Sequence, residues 1–172
     1  YQLVQVAEPR DFDKVFGADL TTSTEEIFYI KTSRIDGKTW DYLSYTSHPK
    51  YEFVPGKTML NGNGYYTHYT DLRNHIIKSW DMNDLRYGMN IGFYVFGKDA
   101  YGEYTCLLTK YTDPNAQGNG ANVSIPLIRY TDAMLIYSEA CARVANAPTT
   151  ESIEMLNQLR RRAYGKDPKV PN

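Results

Sequence analysis

The stretch 126–165 restricts this chain more than any other, because it spells two helices joined too tightly to separate. Met134, Tyr137, Cys141 and Val144 recur at spacings of 3, 4 and 3, which puts them on one face of a helix from about Thr131 to Ala145. Asn146-Ala147-Pro148 breaks that helix, and Thr149 or Thr150 caps a second one by offering an oxygen to the orphan amides. Glu151 and Glu154 open the second helix, and Arg160, Arg161 and Arg162 close it ahead of Gly165, the charge order that complements the helix dipole. Ile153, Leu156, Leu159 and Ala163 give it an apolar stripe. The short connection predicts an antiparallel hairpin, the unit stacked in TPR-like arrays. A lone hairpin cannot bury both of its faces, so this one needs neighbours.

Upstream the text is strand and loop. The segment from Glu26 to Thr32 is β-branched and aromatic and predicts a strand, with Asp36-Gly37 as the turn that follows. Trp40 to Tyr45 reads as a similar but more polar strand. From His48 to Gly64, the residues Pro49, Pro55-Gly56 and Asn61-Gly62-Asn63-Gly64 predict a loop with left-handed backbone positions. Leu72, Ile76 and Trp80 predict a helix from about Thr70 to Trp80, capped by Thr70 or Asp71, with Trp80 on its apolar stripe and in the core. Strands are expected from Ile91 to Phe96 and from Tyr104 to Tyr111 about a turn at 98–102, then a polar loop from Asp113 to Asn122.

With 172 residues the chain suits one domain with a core of its own. Its 19 basic and 20 acidic residues leave a net charge of −1, which gives no field to steer it to nucleic acid or anionic lipid. Cys106 and Cys141 form neither a disulfide framework nor a metal cluster. The opening YQLVQVAEPR has neither the basic start nor the apolar run of a signal peptide, and no apolar run nears the ~20 residues that span a bilayer, so the chain as given is expected to be soluble.

No metal or cofactor is expected. His48, His68 and His75 lack ligand spacing, and Asp113 to Gly118 echoes only the first half of a calcium loop, with Ser124 at its twelfth position where a bidentate acid belongs. No glycine-rich phosphate loop or nucleophile elbow marks a catalytic residue. Arg129 with Asp132, Asp84 with Arg86, and Glu139 with Arg143 suit structural pairing.

The run Ile125-Pro126-Leu127-Ile128-Arg129-Tyr130-Thr131-Asp132, continued by Leu135-Ile136-Tyr137-Ser138-Glu139-Ala140, resembles the most recognisable segment of the SusD/RagB family. There an Ile-Arg-aromatic-Ala-Asp opening precedes Leu-x-x-Tyr-Ala-Glu-Ala; Thr131 and Ser138 replace two alanines and are small enough for the same close packing. Leu156-Asn157-Gln158-Leu159-Arg160-Arg161-Arg162-Ala163 matches the signature that ends the family's second helix. Collinear, weaker likenesses run upstream at Tyr1-Gln2-Leu3, at Glu25 to Ile30, at Asp84-Leu85-Arg86 and at Lys110-Tyr111.

The resemblance implies a mainly α fold with short strands and long loops, a TPR-like hairpin of the SusD-like fold that is part of a larger domain. Residues 1–172 form one segment: 1–125 would be the loop- and strand-rich part that faces ligand, and 126–165 the hairpin. It implies a lipoprotein on the outer face of the bacterial outer membrane, anchored by a lipid upstream of this chain. Such a protein binds glycans, or sometimes peptides, without cleaving them and delivers them to a SusC-like TonB-dependent transporter. A TPR-like module that docks a protein or peptide is the alternative. A secreted glycoside hydrolase would instead need two carboxylates across a cleft at roughly 5–10 Å.

The 16 tyrosines bear on the ligand, since a tyrosine ring offers an apolar face with a polar rim. Sugar rings stack on such faces while amides and carboxylates satisfy their hydroxyls. Trp40, Asp41 and Tyr42, with Tyr45 close by, form one candidate cluster, and Asn61, Asn63, Tyr65, Tyr66 and Tyr69, with His68 among them, form the second. The glycines of the second would hold its side chains outward on a loop. The competing reading is that these tyrosines pin a long loop onto the helices.

Overall fold

The computed structural model describes residues 1–21, 23–35, 41–65, 70–93 and 105–171. A 3-10 turn at Pro9–Phe12 runs into α1 (Asp13–Phe16), followed by β1 (Glu26–Lys31), α2 (Asp41–Thr46), β2 (Glu52–Val54) and β3 (Lys57–Thr58). Next come β4 (Thr70–Asp71), α3 (His75–Ser79), α4 (Leu85–Asn90), β5 (Ile91–Phe93), β6 (Thr105–Leu108) and β7 (Ser124–Arg129), then the long α5 (Tyr130–Ala145) and α6 (Thr150–Ala163). Among the described residues the fold is therefore six helices with short strands. No described helix is long and apolar enough to cross a membrane.

Three apolar clusters hold these pieces. Leu43, Met59, Leu60, Leu107 and Val123 bring α2, the β3 turn and β6 together. Val6, Phe12, Val15, Phe16 and Met89 pack the amino-terminal turn on α4, and Tyr111 touches both clusters. Ile77, Tyr87, Ile91 and Cys106 form the third, with Leu72 and Trp80 at its edge as the sequence leads one to expect of Trp80.

The strand over 26–32 is present as β1, but its partner is distant in sequence: β1 pairs antiparallel with β7, from Glu26 opposite Arg129 to Lys31 opposite Ser124. At the ribbon's end, beside β1, Glu25 is fully buried, accepts from the Val4 amide at 2.8 Å and holds the Arg162 guanidinium. Arg161 is likewise buried, donating to the Pro168 carbonyl at 3.0 Å and pairing with Glu154. The three closing arginines thus do more than complement the dipole; two of them tie the helix to other segments.

α5 and α6 form the expected hairpin. Asn146 takes a left-handed conformation (φ 52°) to end α5, and Thr149 caps α6 by accepting from the Ser152 amide at 3.0 Å. Near the connection the Ser138 hydroxyl donates to the Ser152 carbonyl at 2.7 Å, while Thr131 and Ala163 line one cleft at the far end, so the helices run antiparallel. The face in contact matches the expected stripe only in part: Met134 is buried and the Tyr137 hydroxyl donates to Glu151 of α6 at 2.6 Å, but Val144 stays outside. Thr131, Met134 and Ser138 are buried, whereas Val144 is 91% exposed and Ile136 67%. Thr131 and Ser138 are small enough for close approach, and Ile136 and Val144 stay outside the joint.

Four upstream expectations are corrected. Tyr42 to Tyr45 lie in α2, not a strand: Leu43, Thr46 and Ser47 are buried together on one side, and the Thr46 hydroxyl donates to the Tyr42 carbonyl at 3.0 Å. Period-3.6 burial wins there over tyrosine's strand preference. The 48–64 loop contains the β2–β3 hairpin, turned by Pro55-Gly56 with Gly56 at φ 74°.

The 70–80 helix shortens to α3, because Thr70-Asp71 pairs with β6 and Asn74, not Thr70 or Asp71, caps the helix by accepting from the Ile76 amide at 3.0 Å. This shifts the face, so that Ile77 is buried and Ile76 is 62% exposed. The strand from Ile91 is described to Phe93 and the next is Thr105–Leu108; the turns at 36–37 and 98–102 lie outside the described residues.

Candidate functional site

Each tyrosine cluster named from the sequence supplies one described ring, Tyr45 and Tyr65, to a single patch. In α2, buried Leu43 anchors the helix and leaves Tyr42 and Tyr45 half exposed on its outer side. The second cluster reaches the same place through a tightly wound turn. Asn61 (φ 46°) and Gly62 (φ 77°) reverse the chain, and the Gly62 amide donates to the Thr58 hydroxyl at 2.5 Å. At Gly64 (φ 124°) a side chain would meet the Ser47 carbonyl oxygen at 2.4 Å, so only glycine allows the segment to lie this close to α2. The Tyr65 amide then donates to the Ser44 carbonyl at 2.7 Å.

That docking sets the Tyr45 and Tyr65 rings 5.9 Å apart, tilted by 42°. Tyr65 is 51% exposed, and its hydroxyl accepts from the Asn119 amide at 2.6 Å. The two rings and one side-chain amide form a half-wet surface, tilted rather than coplanar. Asn119 belongs to a stretch that the sequence marks only as polar loop; nothing local ties it to Tyr65, which lies 54 residues away.

The other candidates divide. Asn61 and Asn63 engage their amides within the protein, on the Ala116 carbonyl at 3.0 Å and on the Leu60 and Asn61 carbonyls at 3.2 and 3.1 Å. They shape the turn and hold it to the 113–122 loop. Tyr42 lines a cleft of about 110 Å³ with Thr46, Asn90, Leu108, Lys110 and Tyr111. Burial pushes the Tyr42 and Tyr111 phenols above their ordinary range, so both stay protonated and able to donate. Trp40, Tyr66 and Tyr69, with His68, lie outside the described residues, as does the side chain of Asp41.

Two further features matter. The Asp113 carboxylate, first in the calcium-like run, is fully buried and already held by Arg34 at 2.7 and 3.0 Å and by the Asn115 and Asn122 amides at 3.0 and 2.7 Å. It locks the loop from inside. Away from the patch, Tyr1 and Tyr130 stack at 6.4 Å and 20° beside a polar cleft of about 710 Å³ that also holds Gln5, Gln158 and Asp167. That pair combines residues from the two ends of the sequence, and no spacing rule brings them together.

The fold has a known counterpart. A SusD superfamily protein from Parabacteroides distasonis superposes with a TM-score of 0.60 at 17% identity, over 98% of this chain and 36% of its own. The chain thus spans about a third of the length of that protein. The model of the SusD family matches residues 19–170, and the chain belongs to that family. No curated protein matches its sequence.

Proposed function

We propose that this chain contributes a glycan-binding surface to a non-enzymatic nutrient-capture protein, and that the surface is centred on Tyr45 and Tyr65. The supporting observation is the pair of half-exposed rings brought together by the Gly64 approach, with the Asn119 amide at the hydroxyl of one. Each ring offers a face to sugar C–H groups while the amide satisfies hydroxyls. Tyr42, Trp40, Asp41, Tyr66 and Tyr69 belong to the same proposed surface, and Asn61 and Asn63 support it from beneath. Family membership supports the wider assignment: a lipid-anchored protein on the outer face of the outer membrane that passes glycans to a SusC-like TonB-dependent transporter.

Calorimetry of the intact protein against a panel of polysaccharides tests this reading. Tyr45→Ala and Tyr65→Ala should each weaken binding about three- to ten-fold. Unchanged affinity in both, with loss on Tyr130→Ala, would move the site to the Tyr1–Tyr130 cleft. The second reading, a TPR-like docking module, is favoured by the open apolar groove along α5 that Tyr137, Cys141 and Val144 line. It predicts that a protein partner, and no polysaccharide, binds.

A further inference from the structure

The cleft under Tyr42 has a neighbour. Asn90 and Lys110 line it and also line a second cleft of about 190 Å³. Arg86, Arg129 and Arg162 line that second cleft together with Lys110, and no acid does. The acids that balance these arginines sit behind them. Asp84 holds Arg86 at 2.5 Å, Glu25 holds Arg162 and lies 3.9 Å from Arg129, and Asp132 lies 3.9 Å from Arg129.

Lys110 has no such direct partner: among the described residues no carboxylate reaches its ammonium within the 4.0 Å of an ion pair. The ammonium rests instead over the Phe16 ring at 4.3 Å and the Tyr111 ring at 5.4 Å. Burial, and then the neighbouring Arg129, hold it below its ordinary value of 10.5, against a weaker opposite pull from Asp132. The cleft therefore gathers four cations beside the tyrosines, with acids set behind three of them and one net positive charge left over.

We propose that Lys110 and Arg129 seat a carboxylate, and that the ligand they select is a uronic acid residue whose ring lies toward Tyr42 and Tyr111. A hexuronate matches what the two adjoining clefts present: its apolar C–H face suits the phenol rings of one and its anionic group the cations of the other, with Lys110 lining both. The inference rests on the glycan reading above and names its substrate class as acidic.

The test is calorimetry of the intact protein with free glucuronate and galacturonate, with glucose as the neutral control, and with Lys110→Gln and Lys110→Met beside the wild type. The methionine keeps an apolar stem on Phe16, and neither variant removes a partner from a buried acid, so both should fold. Both uronates should bind better than glucose and weaken as salt rises, and each variant should lose about ten-fold in uronate affinity. Uronates that bind no better than glucose, or that bind both variants as they bind the wild type, would overturn the proposal. Neutral polysaccharide that binds wild type and variants alike, with no preference for uronates, would overturn the acid seat while leaving the glycan reading intact. Loss of binding in the Tyr45 and Tyr65 variants bears only on that reading.

Discussion

Glu25 shows how much one side chain holds here. It is fully buried, fixes the Val4 amide at 2.8 Å, and neutralises Arg162, itself 7% exposed at the side chain. Glu25→Gln would leave that guanidinium buried and uncompensated, a change that costs about 3–5 kcal/mol. Urea unfolding of the variant should show the midpoint fall by that equivalent; a shift below 1 kcal/mol would mean that water reaches Arg162. At this scale the sequence is half legible. Asp84 with Arg86 and Glu139 with Arg143 are neighbours in sequence and pair as expected, at 2.5 Å in each case. The Glu25–Arg162 contact spans 137 residues, and the Tyr65–Asn119 contact 54, so no spacing rule reveals either. Composition marks tyrosine and asparagine as candidates; only the fold decides that Asn61 and Asn63 bond backbone carbonyls while the Tyr65 ring stays half exposed.

Among elements, the long helices follow their own sequences. α5 and α6 carry their stop and start signals locally, in Asn146 and in Thr149 with Ser152. Thr149→Ala removes the oxygen that accepts from the Ser152 amide and should cost about 1 kcal/mol, read as a lower thermal midpoint. Thr149→Asp, which keeps an acceptor there, should cost little. Short elements are another matter. α2 and α3 are too short to be stable from propensity, so their bounds are set by what they pack against: Leu43 in the first cluster and Ile77 in the third. That is why Trp40 to Tyr45 reads as strand and why the 70–80 helix loses its first turns to the pairing with β6. Part of the hairpin's contact face escapes the sequence for a related reason. Hydrophobic spacing finds the apolar side of α5, but the joint with α6 is built from Thr131 and Ser138, which such spacing does not weigh.

The whole molecule responds to acid in opposed steps. Burial holds the Glu26 carboxyl above its ordinary 4.5, partly offset by Lys31, and one of its oxygens is buried without a hydrogen bond. Burial likewise raises Asp13 above 3.8, against the pull of Arg10. The folded chain therefore takes up these protons before the unfolded chain does. These two groups should add stability as pH falls through their raised values, once the loss from His48, held below 6.5 by burial, is past. Hydrogen bonds from Arg34 hold Asp19 below 3.8, and at Asp84 burial is outweighed by Arg86 and its amide. Below about pH 3.8 the unfolded chain takes protons first at these two, and stability should fall. Denaturant titrations from pH 7 to pH 3 should trace a maximum in mild acid, and Glu26→Gln should be more stable than wild type at pH 7 and should flatten the upper arm. A wild-type curve that declines steadily from neutral would remove this account. The same Glu25–Arg162 contact also sets a timetable. Arg162 leaves the ribosome 137 residues after Glu25. At 5–20 residues per second the strand beside Glu25, with Phe28 and Ile30 more than half exposed even when paired, waits on the order of ten seconds for β7 and α6 to be synthesised. Through that interval a bare apolar strand and a buried-type acid both lack partners, so the chain's most vulnerable moment comes before its most recognisable helices exist.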